Sequence, residues 1–235
     1  MQIYLKGNCL DKHIEEISEN FNFEMSSVIP DKPFLHYDES GLSFIMDPHD
    51  LNKRNQIDFL KGKLGWRLKR SQHESNLKKA LGKSNAPLSI FDATPGFLSD
   101  AMIFLSLGHK VIAVEQSVII YSLVKDAIRR ASTELDFLNN LEFSCGNSLN
   151  KYSELECIPD VIYLDPMYPI LKKNQKKSSH IETITFILKE EKIECDSEEL
   201  IEGFLKKKYQ KIILKRPLKF EKKYSNINYQ VKGSS

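Results

Sequence analysis

Short apolar runs and longer amphipathic stretches alternate along most of this chain. Apolar runs of four or five residues bounded by turn residues predict buried strands, whereas apolar positions three or four residues apart predict helices. Beyond residue 87 the predicted strands fall at 88–91, 110–114, 141–144, 160–164 and 211–214. The predicted helices between them fall at 97–107, 118–131, 181–192 and 197–208. This alternation predicts an α/β fold, a doubly wound and mostly parallel Rossmann-like sheet with helices on both faces.

The chain before residue 88 divides into two further regions. Residues 1–55 predict a small N-terminal α/β lobe. Its strand patterns fall at 2–5, 34–37 and 42–46, and its amphipathic helix falls at 11–21. Residues 56–87 are polar and rich in Lys, Arg and Gly, with helical character at 71–81. We interpret them as a basic linking arm that leads into the main domain at 88–235.

Composition limits the class of protein without identifying it. The 235 residues are 41% apolar and 28% charged, which is ordinary for a folded soluble protein. No apolar run approaches the length that crosses a bilayer, and the N-terminus is too short and polar for a signal sequence, so we expect a cytoplasmic protein. The four cysteines lie far apart, which predicts reduced thiols and no metal site. They are Cys9, Cys145, Cys157 and Cys195.

Charge is distributed unevenly along the chain, although the net charge is only +2. Basic residues concentrate at 53–70, 172–177 and 206–223, whereas acidic residues dominate 182–202. Any one of these basic clusters, taken alone, is equally typical of the solvent-exposed face of a helix. Three basic clusters around one candidate site favour a nucleic acid as the partner. The candidate contacts in the first two clusters are Lys61, Lys63, Arg67, Lys69, Arg70, Lys172 and Lys173.

A stiff loop follows the fourth predicted strand of the main domain. It reads Asp165-Pro166-Met167-Tyr168-Pro169. Proline fixes φ and donates no hydrogen bond, so the loop presents rigid carbonyl and carboxylate acceptors beside an aromatic ring. Ligands of open α/β sheets collect at this edge. The loop therefore suits a planar, amine-bearing group such as a nucleobase, although an ordinary Asp-Pro turn closing a strand has the same sequence.

Acidic and small polar residues follow the other strands of the main domain. Asp92 ends the first strand and Gly96 lies in the turn after it, while Glu115 ends the second strand at a position suited to ribose hydroxyls. Asn147 and Ser148 follow the third strand. One glycine with flanking acids suits a cofactor without phosphate and with an amine-bearing end, and S-adenosylmethionine meets that description. A generic strand–turn–helix corner is the alternative.

Methyl transfer to an exocyclic amine fits these residues. The reaction needs orientation more than proton chemistry, because the nitrogen lone pair attacks the methyl group in line. The carboxylate of Asp165 and the carbonyl of Pro166 would accept hydrogen bonds from the amine and take the released proton. Tyr168 would stack on the base, which must be unpaired to reach the site.

Several of these motifs, taken in order, resemble one known family. They are Asp92-Ala93-Thr94 with Gly96 and Asp100, Val114-Glu115, the strand and loop 161–169, and Leu214-Lys215-Arg216-Pro217. This set resembles the J-type small-subunit ribosomal RNA methyltransferases, which methylate N2 of a guanine in 16S rRNA. The resemblance covers about 56–233 and implies an S-adenosylmethionine-dependent enzyme that acts on 16S rRNA or the small ribosomal subunit.

The resemblance also implies roles for individual residues. It places Lys215 and Arg216 near the RNA or the target base. It assigns cofactor contacts to Ser99, Asp100, Glu115, Gln116, Asn147, Ser148 and Asp165, beside Asp92 and Gly96.

This chain departs from the family pattern at three places. The usual turn Ala-Gly-Leu-Gly-Arg-Asp is replaced by residues 95–100, which predicts the Leu98 side chain near the cofactor and weaker cofactor binding. Asn147 stands where serine is common. The sequence stops before the family's last short strand, which predicts that 219–235 is poorly packed or finds another partner.

Two other functions remain open at this point. One is an amino-methyltransferase with another acceptor, either adenine N6 or a protein glutamine. The other is a non-catalytic RNA-binding or assembly factor on the same fold. The sequence does not indicate an oligomeric state.

Overall fold

The computed structural model of the protein describes residues 1–7, 9–168, 179–194, 196–217, 224 and 227–233. The predicted positions Pro169, Lys172, Lys173 and Cys195 lie outside these residues. The strands are β1 Gln2–Leu5, β2 Glu24–Ser26, β3 Phe34–Asp38, β4 Gly41–Ile45, β5 Arg54–Asn55, β6 Ser89–Asp92, β7 Lys110–Glu115, β8 Leu141–Cys145, β9 Val161–Leu164 and β10 Ile212–Leu214. The helices are α1 Lys12–Phe21, α2 Gly62–Lys69, α3 Ser75–Leu81, α4 Ala101–Ser106, α5 Val118–Ala131, α6 Ser148–Ser153, α7 Ser179–Glu190 and α8 Ser197–Leu205.

These elements form two compact units. The first comprises Met1–Gly65, Gln116–Asp136 and Gln175–Glu194. The second comprises Trp66–Glu115, Phe137–Asn174 and Cys195–Ser235. Helices α5 and α7 thus belong to the first unit, although both come from the 88–235 region of the sequence. The described part of the chain contains no helix that is long and apolar enough to cross a membrane.

The first unit is built on a five-stranded sheet in the order β2-β1-β3-β4-β5. Strand β1 is parallel to β2 and β3, and the β3–β4 and β4–β5 pairs are antiparallel. The buried carboxylate of Asp126 on α5 fixes this helix to β4: it accepts hydrogen bonds from the Leu42 amide at 2.9 Å and from Arg130 Nε at 2.7 Å. Gly41 is required beside it, because a Cβ there would lie 2.5 Å from Asp126 Oδ2.

The second unit carries the predicted parallel sheet, in the order β10-β9-β6-β7-β8 with every pair parallel. This confirms the Rossmann-like fold class. Strand order reverses at β6, so the switch point of the sheet lies between β6 and β9, where α/β sheets bind ligands. Apolar side chains of β6, β9 and α8 form one core cluster, including Phe91, Ile162 and Phe204.

The predicted strands of this unit differ from the structure by a residue at one or both ends, and two predicted helices differ by about one turn. The helix predicted at 97–107 begins only at Ala101, because Gly96 and Leu98 have φ values of 49° and 57°, which no helix accommodates. The helix predicted at 197–208 ends at Leu205. Among the described residues of the C-terminal segment, 227–233 form no strand, and Tyr229 is 73% exposed.

Candidate active site at the carboxyl edge of the second sheet

Parallel pairing brings the carboxyl ends of the strands of the second unit to one edge. Asp92 at the end of β6 is in register with Ala113 of β7 and with Tyr163 of β9. Glu115 at the end of β7 is in register with Cys145 of β8. The predicted site residues after β6, β7, β8 and β9 therefore share this edge.

The turn after β6 is organised by its own hydrogen bonds. The Thr94 amide donates to Asp92 Oδ1 at 3.1 Å, and the Gly96 amide donates to Glu115 Oε2 at 3.1 Å. Leu98 adopts a left-handed conformation at a cost of about 1 kcal/mol for a residue with a Cβ. Its side chain is fully buried, so it packs into the core. The expectation that this side chain lies near the cofactor stays a prediction.

Three other carboxylates act on Asp92, which is almost completely buried. Burial raises the pKa of Asp92 well above its ordinary value, and the carboxylates of Asp100, Asp165 and Glu115 raise this pKa further. Arg67 and Lys215 offset part of this charge, but the carboxylates outnumber these two cations, so the edge favours a cationic ligand over an anionic one. S-adenosylmethionine fits this requirement, because its sulfonium and amino groups are both positively charged.

Asp100 is the centre of a buried ion network. Its Oδ1 pairs with Arg67 Nη1 at 2.7 Å, while its Oδ2 accepts hydrogen bonds from Lys215 Nζ at 2.8 Å and from the Tyr163 hydroxyl at 2.5 Å. Burial alone would raise the pKa of Asp100, but Lys215 and Arg67 outweigh it and hold this pKa below its ordinary value. Asp100 is therefore ionised at neutral pH and immobilised.

Lys215 connects Asp100 to the loop after β9. Its Nζ donates to Asp165 Oδ2 at 2.7 Å, and the Asp165 amide donates to Thr94 Oγ1 at 2.7 Å. Burial raises the pKa of Asp165 above its ordinary value, against the opposing charge of Lys215. Asp165 and Tyr168 are partly exposed while Pro166 is buried, so the acidic and aromatic side chains of the loop are the accessible ones.

Asn147 and Ser148 have a local structural role at the start of α6. Asn147 is the N-cap residue, and its side-chain oxygen accepts the Asn150 amide at 3.1 Å. Ser148 is buried as the first residue of the helix. Their cofactor contacts, like those of Ser99 and Gln116, stay predictions.

The basic residues predicted to contact RNA separate into two groups. Arg67 is tied internally: Nε and Nη2 donate to the two carboxylate oxygens of Glu74 at 2.5 and 3.0 Å, and Nη1 donates to the Ser99 carbonyl at 3.2 Å. The side chains of Lys61, Lys63, Lys69 and Arg70 are exposed. Lys215 is half-exposed but paired, and Arg216 is partly buried.

The sequence did not predict the roles of Thr94 and Tyr163, or that Arg67 makes internal contacts. Thr94 lies in a turn that the sequence did identify, two residues after Asp92. Tyr163 is the one residue of β9 with a polar side-chain group, and this hydroxyl in an apolar run was the only sequence feature that could have indicated its role. Arg67 could not be assigned, because the sequence does not show which member of a basic stretch turns inward.

Comparison with known proteins places the chain in a family. A family model described as "Putative SAM-dependent methyltransferase" matches residues 17–233. The chain belongs to that family. It is accordingly an S-adenosylmethionine-dependent methyltransferase.

Individual relatives agree with this assignment. The methyltransferase is 29% identical over 220 residues to "Ribosomal RNA small subunit methyltransferase J" of Thioalkalivibrio sulfidiphilus, covering 90% of this chain and 85% of the relative. The protein of the same name from Buchnera aphidicola is 29% identical, covering 92% and 88%. The crystal structure of a SAM-dependent methyltransferase from Neisseria gonorrhoeae has a TM-score of 0.61 and 23% identity over 72% of this chain and 70% of that chain, which shows the same fold.

Proposed function

We propose that this methyltransferase methylates the exocyclic N2 amine of a guanine in small-subunit ribosomal RNA. The observation that carries the proposal is the position of Asp165, which is held at the switch point of the sheet by Thr94 and Lys215. The names of the relatives, which refer to small-subunit ribosomal RNA, support the same substrate.

The residues of the loop after β9 orient the amine. The carboxylate of Asp165 and the backbone carbonyl of Pro166 accept hydrogen bonds from its two protons, which aims the lone pair away from the loop. Tyr168 stacks on the guanine ring and keeps it in that orientation. S-adenosylmethionine, when bound, supplies the electrophilic methyl group.

Asp165 also suits the removal of the proton that the amine loses. Burial raises the pKa of Asp165, which makes the carboxylate a better proton acceptor than an exposed aspartate. Lys215 opposes that rise and fixes the carboxylate in one orientation through its 2.7 Å contact. The methyl transfer therefore depends on Asp165 directly and on Lys215 through Asp165.

Cofactor binding is assigned to the other strand ends. We propose that Asp92 and Glu115 contact the cationic methionine end and the ribose of the cofactor; the Gly96 turn between them, whose amide donates to Glu115, supports this assignment. Asp100 is occupied by Arg67, Lys215 and Tyr163, so we propose that it positions the turn and Lys215.

The experiment is methylation of ribosomal RNA from cells that lack this gene, with the product nucleoside identified by mass spectrometry. The wild-type protein should form N2-methylguanosine, and Asp165→Ala should lose at least 100-fold in rate, about the contribution of a positioned acceptor, while staying folded. Glu156→Ala, which removes an exposed carboxylate of the same unit, is the matched control and should be fully active.

The other outcomes separate the alternative functions. N6-methyladenosine, or a methylated protein glutamine, would replace the proposed acceptor. Absence of S-adenosylmethionine binding in a calorimetric titration at millimolar cofactor would reject the enzyme and favour an RNA-binding factor.

A further inference from the structure

Trp66 is exposed on helix α2, although it is the largest apolar side chain in the chain. It is the only tryptophan, and 61% of its surface is accessible. Other large rings of the second unit, such as Phe91, Phe104 and Tyr163, are almost fully buried. A single exposed apolar side chain is ordinary on a protein surface, so the ring becomes informative only through the charged groups around it.

The surroundings of the ring are cationic. The guanidinium of Arg70 lies over the indole, with Cζ 4.8 Å from the ring centroid. Arg70 and the neighbouring Lys69 are both exposed. A flat aromatic surface with a stacked guanidinium and a nearby ammonium is the arrangement on which proteins stack unpaired bases while neutralising their phosphates.

This surface is tied to the methyltransferase site through the next residue. Arg67 pairs with Asp100 at 2.7 Å, and Asp100 shares the Nζ of Lys215 with Asp165 at 2.8 and 2.7 Å. The residue after Trp66 is therefore part of the same ion network as the catalytic carboxylate. Two ion pairs and one shared lysine thus connect the end of α2 to the loop that carries Asp165.

The same network fixes the backbone next to Trp66. The two hydrogen bonds from Arg67 to Glu74, at 2.5 and 3.0 Å, fix the C-terminal turn of α2 against the segment that follows it. A ring on a fixed helix end loses little conformational entropy when a base stacks on it.

We propose that Trp66 and Arg70 form a stacking platform for an unpaired nucleotide of the RNA substrate, adjacent to the nucleotide that enters the site at Asp165. This proposal rests on the proposed function, because it takes RNA as the substrate. The platform recognises the flat face of a base and a phosphate, and it is tolerant of base identity.

Intrinsic fluorescence reports on this platform directly, since the chain has one tryptophan. Titration of the full-length protein with a single-stranded oligoadenylate of about ten nucleotides should quench the emission saturably. The same strand in a duplex, whose bases are already stacked, should quench far less. Binding of the single strand, followed by anisotropy of an end label, without any quenching would overturn the proposal.

Variants separate stacking from general electrostatic attraction. Trp66→Ala should weaken single-strand binding about 5- to 100-fold, as expected for loss of one stacked base, and Trp66→Phe should retain most of the affinity. The salt dependence of binding should be the same in Trp66→Ala as in wild type, because an indole releases no counterions. Val28→Ala, which removes another exposed apolar side chain, should bind as wild type does.

The experiments give different results if the stacking platform is wrong and if the proposed reaction is wrong. Wild-type affinity in Trp66→Ala, in a protein that methylates ribosomal RNA, would overturn the platform and leave the enzyme assignment intact. Quenching by single-stranded RNA, in a protein that methylates no RNA, would support the platform and reject the proposed reaction.

Discussion

Replacement of Lys215 by methionine tests how the acceptor carboxylate is held. Methionine keeps most of the length of the side chain and removes the ammonium that bridges Asp100 and Asp165. Asp100 retains Arg67 and the Tyr163 hydroxyl. Asp165 retains only the backbone bond to Thr94 among the contacts described above, so the substitution acts mainly on Asp165.

The expected magnitude follows from the exposure of the pair. The Lys215 side chain is 51% exposed and that of Asp165 is 36% exposed, so water screens their 2.7 Å contact strongly. Pairs of this kind contribute up to about 1 kcal/mol, which corresponds to a decrease of about fivefold in kcat at neutral pH. Lys215 lowers the pKa of Asp165 against burial, so its removal raises that pKa further.

The assay is the pH dependence of kcat for rRNA methylation. Because the ionised form of Asp165 is the acceptor, a higher pKa moves the acidic limb of the profile to higher pH in Lys215→Met. Lys215→Arg keeps the charge and should keep the limb near its wild-type position, and Lys208→Met is the control in the same basic cluster. An acidic limb that is identical in wild type and Lys215→Met would refute this account of Asp165.

Three further substitutions test other parts of the structure. Thr94→Val conserves volume but removes the acceptor of the Asp165 amide, so kcat should fall about tenfold while cofactor affinity, measured by calorimetry, changes little. Asp92→Asn keeps an acceptor for the Thr94 amide but cannot ionise. Because folding raises the pKa of Asp92, the wild-type protein loses stability as the pH rises above about 4. The melting temperature of the variant should therefore exceed that of the wild type by more at pH 8 than at pH 5. Gly41→Ala places a Cβ 2.5 Å from Asp126 Oδ2 at a φ of 105° and should cost about 2–4 kcal/mol of unfolding free energy, measured by denaturant titration; a loss below 0.5 kcal/mol would contradict the described packing.

The parallel sheet was predictable because its central strands are buried on both faces. A continuous apolar run as short as Val161–Leu164, bounded by turn residues, is typical of such a strand. The turn after β6 was less predictable. The positive φ of Leu98 is enforced by burial of its side chain in the core, and no local sequence signal distinguishes that from a helix start.

The candidate site was predictable at the level of strand ends. Parallel topology by itself brings Asp92, Glu115 and Asp165 to one edge once the strands are assigned. Which charges pair with which was not predictable, because Arg67 and Lys215 reach Asp100 from positions 33 residues before and 115 residues after it in the chain. Such long-range pairs depend on three-dimensional packing that sequence spacing does not encode.

The central claim is that the protein transfers a methyl group from S-adenosylmethionine to a guanine amine of small-subunit ribosomal RNA that the Asp165 loop holds in place. The most direct measurement is nucleoside mass spectrometry of that RNA after reaction with the wild-type protein and with Asp165→Ala. The account predicts N2-methylguanosine with the wild-type protein and its loss with the variant. Equal amounts of N2-methylguanosine from both proteins would contradict it.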